Sequence, residues 1–308
     1  MTRFVPASPL RPKILNEKID DPIKRLSIAR KSSLTALGAR LSCNKRSLKG
    51  KYRRRLNRLM LKIIIVASGT AYHHAAALTA STYAVHLPPP GLVSVLLPDN
   101  EESSPLLRHC SKDFDFAIEQ FPFTLKDRTK FTSQLKCQTF AWQIARLGAD
   151  EIVLFADADT CCLKPIELPI SAANEIQSGR VGLVPDIKDR HYLDPSGPWY
   201  LAPEERSVYV NSGVIFASKE ARGFFERVQR LSDEPRFLTG PLNDQEVINY
   251  ALGKHFPGLL VPLDKRFNTI GRICEETVIA HFAGGAGFLA QQWRRHDHEQ
   301  LCMTVLKD

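Results

Sequence analysis

Residues 61–87 read LKIIIVASGTAYHHAAALTASTYAVHL, and this stretch decides the fold class. Its opening, Leu61 to Val66, is short, rich in β-branched residues and continuously apolar, and Ser68 and Gly69 close it. Such a run reads as a strand buried on both faces. The Ala- and Leu-rich remainder reads as a helix that ends at Pro88, Pro89 and Pro90, because proline lacks the amide that a helix interior needs. The same alternation extends outward. GLVSVLLPD (91–99) and EIVLFAD (151–157) read as further strands. FTSQLKCQTFAWQIARLG (131–148) reads as an amphipathic helix, with Leu135, Phe140, Ile144 and Leu147 on one face and Gly148 as its stop. RVGLVPD (180–186), VYVNSGVIFAS (208–218), ARGFFERVQRLS (221–232), NDQEVINYALG (243–253) and TVIAHFAGG (277–285) continue the pattern. Strands alternating with helices predict an α/β fold, a Rossmann-like, mostly parallel sheet with flanking helices.

The charge is less evenly arranged than the apolar residues. The 308-residue chain carries a net charge of +9. Residues 1–62 hold 18 Lys and Arg against 3 Asp and Glu, whereas the remainder holds 24 against 30. We therefore divide the chain into a basic leader over residues 1–60, expected to be disordered, and a single domain over 61–308. The leader has sparse, aperiodic apolar residues and a cluster of Lys49, Lys51, Arg53, Arg54, Arg55 and Arg58. It reads as a solvated tail, a transit peptide or a segment drawn to an anionic membrane surface. No interleaved aromatics or known motif support nucleic acid, and none is expected as a partner. Seven cysteines with no C-x-x-C pair exclude a zinc finger and a dense disulfide scaffold. Without an apolar run of membrane-spanning length either, a reducing, cytoplasmic setting is expected, peripheral to a membrane if the leader binds one.

In a sheet of this kind ligands collect beyond the C-terminal ends of the strands, so the polar residues that end each apolar run are the ones to examine. EIVLFADADTCCLKPI (151–166) runs into Asp157 and Asp159. In extended chain, residues two apart point to one side about 6.5–7 Å apart, so both carboxylates can converge on one hard cation, Mg²⁺ or Mn²⁺. Cys161 and Cys162 read as core. Asn211-Ser212-Gly213 interrupts an apolar strand, which points to a bulge or a close backbone approach, with Asn and Ser able to bond sugar hydroxyls. Asn243 and Asp244 both suit a helix cap, while Asp244 and Gln245 also suit a sugar pocket. His281 ends a strand, and its imidazole would make a third ligand that favours Mn²⁺ over Mg²⁺.

Taken in order, these motifs resemble the nucleotide-sugar glycosyltransferases of the GT-A fold, and within them the glycogenin-like retaining group. The similarity runs from Lys62 to Gly285 and is most specific from Ile152 to Ile166. It implies a Mn²⁺-dependent (or Mg²⁺-dependent) hexosyltransferase with a UDP-sugar donor and an acceptor hydroxyl of unknown identity. Asp157, Asp159 and His281 would bind the metal. Val66, Ser68, Gly69 and Tyr72 match the part of the family that holds uracil and ribose. Asn211, Ser212, Asp244 and Gln245 match positions around the donor sugar, and Lys136 resembles a lysine ahead of the metal strand. One element departs from the family. HFAGGAGFLAQQW (281–293) has no lysine before Trp293, so diphosphate contact would fall to Arg294, Arg295 or the amides of Gly284–Gly287. DIKDRHYLDPSGPWYLAPEER (186–206) is the candidate acceptor loop, with Tyr192, Trp199 and Tyr200 available to stack on sugars. Two other functions are compatible with these residues, a non-catalytic sugar or nucleotide binder on the same fold and a metal-dependent phosphohydrolase.

Overall fold

The computed structural model describes residues 60–87, 89–186, 200–206, 208–239, 243–283 and 288–307. The first part of the domain builds parallel structure from β1 (Met60–Val66), α1 (Thr70–His86), β2 (Leu92–Pro98), α2 (Pro105–Phe114), β3 (Ala117–Phe121), α3 (Phe131–Ile144) and β4 (Glu151–Ala156). β1 pairs in parallel with both β2 and β4, and β2 with β3. The second part comprises β5 (Thr160–Cys162), α4 (Ile170–Gln177), β6 (Val181–Pro185), β7 (Val210–Ser218), α5 (Arg222–Ser232), α6 (Pro235–Thr239), α7 (Asp244–Lys254), β8 (Leu260–Pro262), β9 (Thr269–Ile270), β10 (Ile279–His281) and α8 (Phe288–Val305). The main sheet has the order β3-β2-β1-β4-β7-β6-β8, and β7 runs antiparallel to both its neighbours. It is mostly parallel and helix-flanked, as the alternation predicts.

The central strands are apolar throughout because both sheet faces are covered. Ile63 and Ile65 pack with α1 and α2 residues such as Ala76, Ala80, Tyr83 and Leu107. Ile64 points the other way, with Val153, Phe155, Phe140 and Phe225. Burying each such side chain contributes about 1.5–3 kcal/mol. The aromatic cluster of Phe140, Phe155 and Phe225, with ring centroids 4.6–5.8 Å apart, fixes α3 and α5 on this face.

Three details differ from the sequence expectations. α3 is not amphipathic: Gln134, Gln138 and Gln143 are buried alongside its apolar residues. Gln138 offsets its burial by accepting from Thr124 N and donating to Thr124 O. The strand carrying His281 does not join the main sheet but forms a small second sheet, β5-β10-β9, stacked where β4 ends. The strands β3, β5, β8 and β9 and the helices α2, α4, α6 and α8 were not anticipated. The predicted leader lies outside the described residues, apart from Met60 at the start of β1. Among the described residues no helix is long and apolar enough to cross a membrane. Their cysteines are free thiols, and Cys161 and Cys162 are core residues.

Candidate functional site

A tight turn follows β4. Asp157 N donates to Gly213 O on β7 at 2.9 Å, Thr160 N returns to Asp157 O, and β5 begins at Thr160. β5 pairs antiparallel with β10 so that Thr160 faces His281, and Phe282 N donates to Asp159 O at 3.0 Å. This non-local pairing carries His281 to the two carboxylates. Its Nε2 lies 3.4 Å from Asp159 Oδ1 and 3.7 Å from Asp157 Oδ2. One donor atom from each residue falls within 4.8 Å of the others.

Room for the imidazole comes from Gly213. A Cβ there would sit 2.1 Å from the His281 ring, so any side chain would displace it. The register between β6 and β7 also slips across residues 211–214, so the expected bulge and the expected close approach coincide.

A chain of hydrogen bonds fixes the His281 tautomer. The Gly213 backbone N–H is an unambiguous donor, and it points at Asn211 Oδ1, 2.8 Å away. Asn268 must then present its Nδ2 to the same oxygen, also at 2.8 Å, which turns Asn268 Oδ1 toward His281 Nδ1 at 2.9 Å. His281 therefore carries a proton on Nδ1, while Nε2 faces the carboxylates. Burial opposes a second proton on the ring, but Asp159 and Asp157 outweigh it and raise the His281 pKa, so Nε2 is the nitrogen that would bind a metal on giving up its proton.

Opposite the carboxylates stands Lys136 of α3, whose Nζ lies 2.8 Å from Asp157 Oδ1 and 2.7 Å from Asp244 Oδ2. Burial opposes the Lys136 charge, but these two carboxylates outweigh it and hold its pKa above the usual lysine value. Burial raises the Asp157 pKa, and Lys136 only partly reverses the effect. For Asp159 burial is outweighed by His281, and its pKa falls to about 2. Asp244 is the first residue of α7. Asn243 is the cap, accepting from Gln245 N at 3.0 Å, while Ser212 Oγ donates to Asp244 Oδ2 at 2.7 Å.

These groups border a cavity of about 520 Å³ lined by Val66, Ser68, Tyr72, Lys136, Asp157, Asp159, Ser212, Asn243 and Asp244, with Phe131, Phe282 and His298. Asn211 and Gln245 stand behind its wall. Asn211 Nδ2 donates to Gln245 Oε1, and Gln245 Nε2 donates to Asp186 Oδ2. Gly69 starts the turn into α1, held by Glu101, which accepts from Gly69 N and from Ser68 Oγ at 2.6 Å. His73 meets the same carboxylate at 3.0 Å.

Glu101, Asn268 and Ser133, which accepts from Asp244 N, were not picked out from the sequence. A polar residue after β2 was the only signal available for Glu101, and nothing local marks the other two. Residues 187–199 of the candidate acceptor loop and Gly284–Gly287 lie outside the described residues, as do the side chains of Arg294 and Arg295. Tyr200 packs under Arg206, with the guanidinium 5.8 Å from its ring centroid.

No family model and no curated protein matches the chain in sequence. In structure it is similar to the galactosyltransferase LgtC in complex with donor and acceptor sugar analogs, with a TM-score of 0.52 and 17% identity over 79% of this chain and 95% of that one. An active-site mutant of LgtC also matches, with a TM-score of 0.49 and 14% identity over 76% and 94%. The chain has the fold of the GT-A glycosyltransferases.

Proposed function

We propose that the protein is a metal-dependent glycosyltransferase that moves a hexose from a UDP-sugar to an acceptor hydroxyl, with retention of anomeric configuration. The observation that carries this reading is the convergence of Asp157, Asp159 and His281 beside a cavity lined by both aspartates together with Lys136 and Asp244. Two carboxylate oxygens and one imidazole nitrogen, the Nε2 of His281, suit Mn²⁺, with Mg²⁺ the second choice.

Bound there, a divalent cation would neutralise the negative charge that grows on the diphosphate as the glycosidic bond breaks. The chain's own residues do the rest. Asp157, Asp159 and His281 would hold the cation. Lys136 adds a fixed positive charge to the same wall and, with Ser212, holds Asp244 through Oδ2. Val66, Ser68, Gly69 and Tyr72 form the end assigned to the nucleotide, where the half-exposed Tyr72 ring offers a stacking surface for uracil. Ser212 borders the space assigned to the sugar, while Asn211 and Gln245 support it from behind. Retention requires attack from the leaving-group face or a covalent intermediate, for which Asp244 is the carboxylate in place.

The test is incubation of the protein with a panel of UDP-hexoses and candidate acceptors, with and without Mn²⁺, followed by product analysis and NMR of the new anomeric centre. Mn²⁺-dependent transfer with unchanged configuration is expected. Asp157→Asn should lower it by about 100-fold or more while leaving the melting temperature near that of the parent. Full activity in that variant would remove the metal assignment. UDP release with the sugar joined to nothing under every condition would favour the phosphohydrolase.

A further inference from the structure

The turn that carries both candidate metal-binding aspartates is gripped through its backbone. Every carbonyl from Asp157 to Thr160 faces a donor. Asp157 O accepts from Thr160 Oγ1 at 2.8 Å, and because that hydroxyl's proton is thereby used, Tyr83 Oη donates to Thr160 Oγ1 at 3.2 Å. Asp159 O accepts from Phe282 N. The remaining two, Ala158 O and Thr160 O, both approach Thr79 Oγ1, at 2.8 and 2.7 Å. A threonine hydroxyl has one proton and cannot serve two carbonyls.

The missing donor comes from α8. His298 Nε2 lies 2.9 Å from Thr160 O and 3.1 Å from Thr79 Oγ1, and a carbonyl partner requires that this nitrogen carry the proton. Both Thr79 and His298 are buried, at 0% and 1% exposure, so no bulk water can substitute for either. One turn further along α8, Cys302 Sγ donates to Cys161 Sγ on β5 at 3.2 Å. The helix thus docks on β5 through a single face.

We propose that His298 is a positioning residue for the Asp157–Asp159 turn, acting with Thr79, and that α8 is thereby an integral part of the cation site rather than a terminal appendage. The proposal rests on the metal reading given above. Without the His298 donor, one of two carbonyls flanking Asp159 loses its partner and the turn can rotate. The two carboxylates then no longer hold a fixed spacing.

The probe is Mn²⁺ alone, titrated into the full chain and followed by the electron paramagnetic resonance of the free ion, with the metal-free melting temperature measured in parallel. His298→Leu and Thr79→Val remove the donors at similar volume, whereas His298→Gln and Thr79→Ser retain one. We expect the first pair to bind Mn²⁺ about tenfold more weakly and the second pair to stay near the parent. Parental Mn²⁺ affinity in folded His298→Leu and Thr79→Val overturns the proposal. Failure of both to fold overturns it too, since the contacts would then hold the fold and not aim the turn. A parent chain that binds no Mn²⁺ defeats the metal reading itself, and this inference with it.

Discussion

Gly213 makes the site possible by what it lacks. The His281 ring occupies the volume where a side chain would begin, and its Nδ1 would lie 2.6 Å from an added Cβ. Gly213→Ala must therefore push the imidazole off the carboxylates or bow β7. We expect Mn²⁺ affinity to fall about tenfold or more and stability to fall by about 1–3 kcal/mol. Mn²⁺ titration and denaturant unfolding measure the two effects, and unaltered metal affinity in a folded variant would refute the steric account. At this scale the sequence is readable where chemistry sits at the end of an apolar run. Asp157, Asp159 and His281 could be picked out because each stands at or just beyond the end of an apolar run. That a glycine at 213 admits something was also legible. Which group enters was not, because the β5–β10 pairing that delivers His281 has no local signature. Asn268 is silent for the same reason, since its role exists only once the fold brings Asn211 of β7 and His281 of β10 to it.

Helix α7 shows how an element's first turn aims a functional group. Asn243 and Asp244 are equally good caps by composition, and the structure separates them by their partners. Asn243 accepts from Gln245 N, and Glu246 reaches back to Asn243 N at 2.9 Å, which completes a capping box. Asp244 is thereby released from capping and turns to Lys136 and Ser212. Asn243→Ala should cost about 1 kcal/mol of stability, the usual loss of a cap. It should also lower kcat, because the helix start that orients Asp244 would fray. Thermal unfolding together with steady-state kinetics checks this, and a variant that loses stability with kcat intact would detach the cap from the site. β1, β2 and α1 were legible because each is bounded by breakers and has a clear apolar pattern. Length alone does not suffice, since α2 and α8, of ten and eighteen residues, were not legible. β9, two residues long, carries no periodic signal, and β10 reads as a strand without any mark of its partners, so the second sheet they help to form was invisible.

Across the whole molecule, charge is segregated, with 18 Lys and Arg against 3 Asp and Glu in residues 1–62 and an acidic excess after them. An acidic body concentrates its negative charge where it is useful for a cation, as Asp157, Asp159 and Asp244 do around one cavity. A basic leader has the opposite preference. We propose that residues 1–60 draw the protein to anionic membrane surfaces, where each Lys or Arg near the lipid contributes about 1 kcal/mol. Attraction of this kind is screened over a Debye length of about 8–10 Å at physiological salt and much less at higher concentrations. The full chain should co-sediment with phosphatidylserine-containing vesicles at low ionic strength, ignore neutral phosphatidylcholine vesicles, and detach as salt rises toward about 1 M. Charge reversal of Arg53, Arg54 and Arg55 should weaken the sedimentation without altering Mn²⁺ binding, because the cation site is assembled from residues beyond the leader. Vesicle binding that survives both high salt and charge reversal would contradict an electrostatic attachment and require an apolar one.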